Sequence, residues 1–147
     1  GAVVGGSVRL SSIGQAADMW WRAIPDHFTQ VTLDEYIVMP NHVHGIIVIG
    51  QPHTSPSAET RHGASQSPGG SQFGPLKFGS LPTIVNAYKG AVTRWCRNNA
   101  FPDFGWQARY WDHVVRDEVD LNRIRQYIAD NPARWEAETD APASVWM

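Results

Sequence analysis

The chain has 147 residues, is 42% hydrophobic and carries a formal charge of −2 at neutral pH, which suits one domain with a sizeable core. Its single Cys96 excludes an internal disulfide, and every apolar run is broken before it reaches the length of a membrane span. The residues near Gly1 lack the basic start and apolar middle of a secretion signal, so a cytoplasmic protein with no membrane partner is expected.

The average charge hides a gradient. Residues 1–75 carry three basic and five acidic side chains, residues 76–134 nine and six, and residues 135–147 none and three. A modestly basic segment between acidic ends is compatible with a local phosphate-binding face.

In chain order, "SSIGQAADMWWRAIP" (11–25) spaces its apolar residues as a helix does, with Ser11 or Ser12 as cap and Pro25 near the stop. "TQVTLDEYIVM" then alternates around Val31, Leu33, Tyr36 and Val38, and "VHGIIVI" follows a Pro40–Asn41 corner; together they predict an antiparallel hairpin. Strand side chains alternate with period two, so His42 and His44 point to one face and can converge on one object.

From Gln51 to about Gly79 the composition collapses into Pro, Ser, Gly, Gln and His, which predicts a mobile insertion of about 51–79 within a single 1–147 domain. His53 and His62 within it read as solvated loop residues. Residues 80–99 return to helical spacing through Ile84, Val85, Tyr88, Val92 and Trp95, with Ser80 as cap and Pro82 in the first turn. "WQARYWDHVVR" (106–116) is aromatic and β-branched and predicts a third strand. "DEVDLNRIRQYIADNP" predicts a helix with acids in its first turn, an apolar stripe of Leu121, Ile124 and Ile128, and Pro132 as the stop. The sum is an α+β sandwich, one antiparallel sheet covered on one side by helices.

Neutral imidazoles are good ligands for divalent metals, and His42-x-His44 offers two from one rigid strand. Tyr127 and Asn131 stand four residues apart on the last helix and so share nearly one face. Each has an ordinary alternative: hydrogen-bonded strand histidines, a core or rim tyrosine, a helix C-cap asparagine. Their combination carries the argument.

"DEYIVMPNHVHGIIVI", "YKGAVTRWCR" and "WQARYWDHVVRDEVDLNRIRQYIADNPARW", in this order, resemble the REP-associated branch of the single-tyrosine transposases, members of the HUH endonuclease superfamily. The resemblance spans about residues 1–135 apart from the insertion. It implies a ferredoxin-like or RRM-like antiparallel sheet with helices packed on one face. It also implies His42, His44 and Asn131 as ligands of Mg²⁺ or Mn²⁺, and Tyr127 as the nucleophile in transesterification of single-stranded or hairpin DNA. A homodimer is compatible with it. The resemblance places a further strand ahead of "GAVVGGSVRL", whose loss would leave an exposed sheet edge and an N-terminally truncated, catalytically silent hairpin binder as the alternative reading.

Lys89, Arg94, Arg109, His113, Arg116 and Arg123 are candidate DNA contacts, as is Arg125; solvated surface charges are the ordinary reading of each. Trp106 and Trp111, flanking Arg109, are candidates for stacking on bases. An unrelated His-x-His hydrolase fits less well: the large metal-dependent barrels need roughly 250 residues, and histidine-triad nucleotide hydrolases want a third histidine where Ile46 stands.

Overall fold

Two glycines make the first turn. Gly5 and Gly6 both take positive φ, 57° and 70°, as a two-residue hairpin of right-handed twist requires. They join strand β1 (Ala2–Val4) to β2 (Ser7–Arg9) in antiparallel register, Val3 opposite Val8. The chain, seen in a computed structural model that describes residues 1–50, 79–108 and 110–139, then enters helix α1 (Ser12–Arg22). Its cap is Ser11, whose hydroxyl accepts from Gly14 N–H and satisfies one of the orphan amides of the first turn, worth about 1 kcal/mol. Helix α1 ends at Arg22, close to Pro25 as expected, but Pro25 itself lies in the first turn of a short helix α2 (Ile24–His27), where a missing N–H costs nothing.

Strands β3 (Val31–Val38) and β4 (Val43–Ile49) form the predicted antiparallel hairpin, in a sheet separate from β1–β2. Their register shifts between Leu33 and Tyr36. This irregularity explains the broken alternation of the sequence: with one extra residue between them, Leu33 and Tyr36 both join the core with Val31 and Val38.

Helix α3 (Leu81–Asn98) lies beside α1 and buries Ile84, Tyr88, Val92 and Cys96, while α1 contributes Ala17 and Trp21. Ile84 and Val92 are fully buried, each worth about 2 kcal/mol of transfer free energy. The Tyr88 hydroxyl donates to the Ala17 carbonyl at 3.2 Å and ties the two helices. The Ser80 hydroxyl pairs with Thr83 Oγ1 and caps no amide.

Helix α4 (Glu118–Ala129) begins at Asp117, whose carboxylate accepts from Asp120 N–H, and packs along β3 and β4. Helix α5 (Asn131–Thr139) follows at once and meets β1 and β2, where Gly6 N–H donates to Glu136. Pro132 therefore opens a helix; read as a stop, it hid α5. The α+β class and the antiparallel pairing with packed helices agree with the expectation; the strands form two pairs rather than one sheet, and α4 packs on the His44 face of β4 while α1 packs on the opposite face at Gly45, so the covering is not confined to one side.

The third strand predicted over 106–116 is absent among the described residues of that stretch. Trp106 turns inward instead, donating Nε1–H to the Lys89 carbonyl and packing with Tyr88 and Phe104, so it is a core residue and not a base-stacking surface. Beyond it, Trp111 is 95% exposed. Among the described residues no strand lies alongside to take ladder hydrogen bonds, and β-propensity without a partner makes no strand. The insertion predicted at 51–79 lies, but for Gly79, outside the described residues.

Arg125 grips Asp34 through two hydrogen bonds, 2.8 and 2.6 Å, locking α4 onto β3 at the register shift. The candidate DNA contact Arg125 is thus a structural clamp. The guanidinium, with help from Glu35 N–H, holds the Asp34 carboxyl down to about 2. The unfolded chain takes up that proton near the ordinary 3.8, so the pair stabilises fully above that pH and loses its contribution as pH falls toward about 2. Asp34→Asn should lower the melting temperature at neutral pH and make the acid limb of stability between pH 4 and 2 less steep, as thermal melts across pH would show.

Candidate functional site

The geometry begins at the Met39–Pro40–Asn41 corner. Met39 N–H donates to the His42 carbonyl, closing the turn so that His42 precedes β4 and His44 lies two residues along, on the face turned toward α4. The two imidazoles meet edge to face with centroids 4.6 Å apart. The ring of Tyr127, from the last turn of α4, stands edge-on to His44 at 5.4 Å. Asn131, the first residue of α5 and 7% exposed, lies close enough to His42 for its side chain to offset part of the loss of basicity that burial causes there. The four residues singled out from the sequence therefore gather within one chain.

Two further side chains that sequence reasoning missed complete the cluster. The Arg134 guanidinium lies over the Tyr127 ring at 5.2 Å, and Trp135 lies against His42 at 5.7 Å. The signal for them was present: Tyr127, Asn131, Arg134 and Trp135 recur at helical spacing, but only if the helical path continues past Pro132.

Burial lowers the basicity of both histidines, His44 down to about 4 with the neighbouring His42 adding to the effect, so both are neutral at physiological pH. In the neutral form an imidazole has one lone pair to give. For His42, Nδ1 faces the acceptor Asn41 Oδ1 and must carry the hydrogen, which leaves Nε2 as the donor atom for a ligand. Two neutral imidazoles and a buried amide oxygen are a donor set that fits a hard-to-borderline divalent cation and leaves its charge undiminished. Among the described residues no group of three or more His, Cys, Asp or Glu could hold a metal, so a cation here depends on Asn131 as its third protein ligand.

The remaining candidates fall elsewhere. Lys89 donates to the Gln107 carbonyl and lies over the rings of Trp106 and Tyr110, fastening these residues to α3 rather than facing solvent as a phosphate contact. His113 and Arg123 both bind the Asp120 carboxylate, at 2.7 and 2.6 Å. Arg94 and Arg116 are exposed with no ion pair among the described residues, and Arg109 lies outside those residues.

Fold and site together define an α+β protein in which a His-x-His strand faces a tyrosine-bearing helix. An uncharacterized protein of Haemophilus influenzae is 35% identical over 139 residues, covering 94% of this chain and 74% of its own length, and the chain belongs to that protein's family. No family profile and no solved structure matches the chain. Among the described residues no helix is long and apolar enough to cross a membrane.

Proposed function

We propose that this chain is a metal-dependent single-stranded DNA endonuclease and strand transferase of the HUH single-tyrosine kind, with hairpin-bearing DNA as its substrate. The observation that carries the reading is the contact of Tyr127 with His44, itself paired with His42, inside one chain. The sequence resemblance to the REP-associated transposases supports it.

In this reading the Tyr127 oxygen attacks a backbone phosphorus. The P–O3′ bond breaks as the Tyr O–P bond forms, the phenolic proton passes to solvent, and the departing 3′ oxygen takes a proton to become a free 3′-OH. The product is a 5′-phosphotyrosine, and attack by a 3′-OH reverses the sequence and rejoins strands. Phenols have an unperturbed pKa near 10 and are poor nucleophiles at neutral pH. Mg²⁺ or Mn²⁺ bound by His42, His44 and Asn131 would polarise the phosphate and offset its developing charge. His44 orients the tyrosine ring through its edge contact, and Asn41 orients His42 through its side-chain oxygen. The exposed Tyr127, 43% accessible, leaves room for a nucleotide strand to approach.

The test is incubation of a hairpin-tailed oligonucleotide with protein and Mn²⁺, followed by intact mass measurement. A species heavier by the 5′-phosphorylated cleavage fragment, absent when EDTA replaces Mn²⁺, is the expected result. Intact oligonucleotide and unmodified protein under both conditions would remove the proposal.

A further inference from the structure

We infer that Arg134 is a further catalytic residue of this site, the guanidinium that binds the phosphate attacked by Tyr127; the inference rests on the nuclease reading above. Tyr127, Asn131 and Arg134 are separated by steps of four and three residues. The junction between α4 and α5 runs through Asp130 in helical conformation, φ −83° and ψ −7°, so the three side chains follow one continuous stripe across two helices. The Arg134 guanidinium carbon lies over the Tyr127 ring, 5.2 Å from its centre.

Charge decides what that position is for. The other two arginines of α4 and α5 are neutralised, Arg123 by Asp120 and Arg125 by Asp34. Among the side chains that the structure describes, which do not include that of Glu138, no carboxylate lies within ion-pair distance of Arg134. The other side chains of the cluster, His42, His44, Tyr127, Asn131 and Trp135, include no second arginine or lysine. A phosphodiester entering between Tyr127 and the histidines therefore meets one fixed positive side chain. Its planar fork can bond both non-bridging oxygens while its face keeps the phenol ring in place, which a lysine ammonium cannot do.

The experiment uses the full chain with a fluorescein-labelled single-stranded oligonucleotide and reads two quantities. In EDTA, anisotropy titrations over a range of salt give the slope of log affinity against log salt. With Mn²⁺, single-turnover adduct formation gives the rate at saturating DNA and the half-saturating concentration. Arg134→Gln should weaken binding about fivefold to tenfold, make the salt slope shallower by about 0.7, the share of one phosphate contact on a single strand, and slow the saturated rate roughly 100-fold. Arg134→Lys should restore the slope but leave the rate about tenfold low. Arg97→Gln, an exposed arginine on α3, serves as control and should match wild type. A salt slope equal to that of wild type together with a saturated rate within about twofold, in Arg134→Gln protein with an unchanged circular-dichroism melt, overturns the assignment. Should Arg134→Gln fail to fold, Arg134→Lys carries the test, and a wild-type rate there overturns the role of the fork. If wild type forms no adduct yet the Arg134→Gln slope still flattens, the tyrosine chemistry has failed while the phosphate contact stands.

Discussion

Tyr127→Phe is expected to abolish the covalent DNA adduct, a loss of at least about 1,000-fold in cleavage, the scale seen when a nucleophile is removed. Affinity for the uncleaved oligonucleotide should change less than about threefold. The reason lies in what the ring touches. Phenylalanine keeps the edge contact with His44 and the face contact with Arg134, so the packing of α4 against β4 survives and only the attacking oxygen is lost. The paired measurement separates the enzyme from the silent hairpin binder. A binder would hold DNA with no adduct in wild type and show no change in the variant. Cleavage that persists in Tyr127→Phe would instead assign the attack to another nucleophile, water included, and return the His-x-His hydrolase to consideration.

Gly45→Ala should destabilise the fold by about 3 kcal/mol, at the upper end of what overpacking costs. A Cβ built on Gly45 falls 2.2 Å from Cζ2 and 2.9 Å from Cη2 of Trp21, far inside van der Waals contact. The indole cannot yield: it is buried, stacked on Tyr36 at 5.8 Å and met edge-on by Tyr88 at 5.2 Å. Relief must then come from β4, and a displaced β4 carries His44 with it. The glycine that closes "MPNHVHG" is thus required by the core on one face of the strand and preserves the histidine geometry on the other. Urea unfolding should show a lower midpoint with an unchanged slope. Trp21→Leu in the Gly45→Ala background should cost less than the two changes added separately, because both act on one contact. A Gly45→Ala protein within about 0.5 kcal/mol of wild type would refute the close approach.

Much of this was written in the chain itself. Alternation marked β3, an apolar run after the Pro40–Asn41 corner marked β4, helical spacing marked α1, α3 and α4, and the one-residue interval between His42 and His44 placed both rings on one strand face. Three features escaped for distinct reasons. Pro25 and Pro132 mark helix ends because proline cannot continue a helix, yet it is equally at home in a first turn, and local sequence did not show that α2 and α5 begin there. The stretch 106–116 has the composition of a strand, but a strand exists only through a neighbour. The Gly5–Gly6 turn lies between runs too short to show their period.

The sequence by itself determined which residues could carry chemistry and which faces of their elements they occupy, since those follow from backbone geometry repeated every two or 3.6 residues. Only the tertiary structure decided which of those residues meet. Packing α4 across the face of β4 brought Tyr127 to His44. The ion pair of Arg125 with Asp34 removed one arginine from the DNA-binding candidates, and the turn of α4 into α5 brought Arg134 over the tyrosine ring. Contacts between residues 83 positions apart depend on how apolar faces are buried against one another, and that is a property of the whole core rather than of either segment.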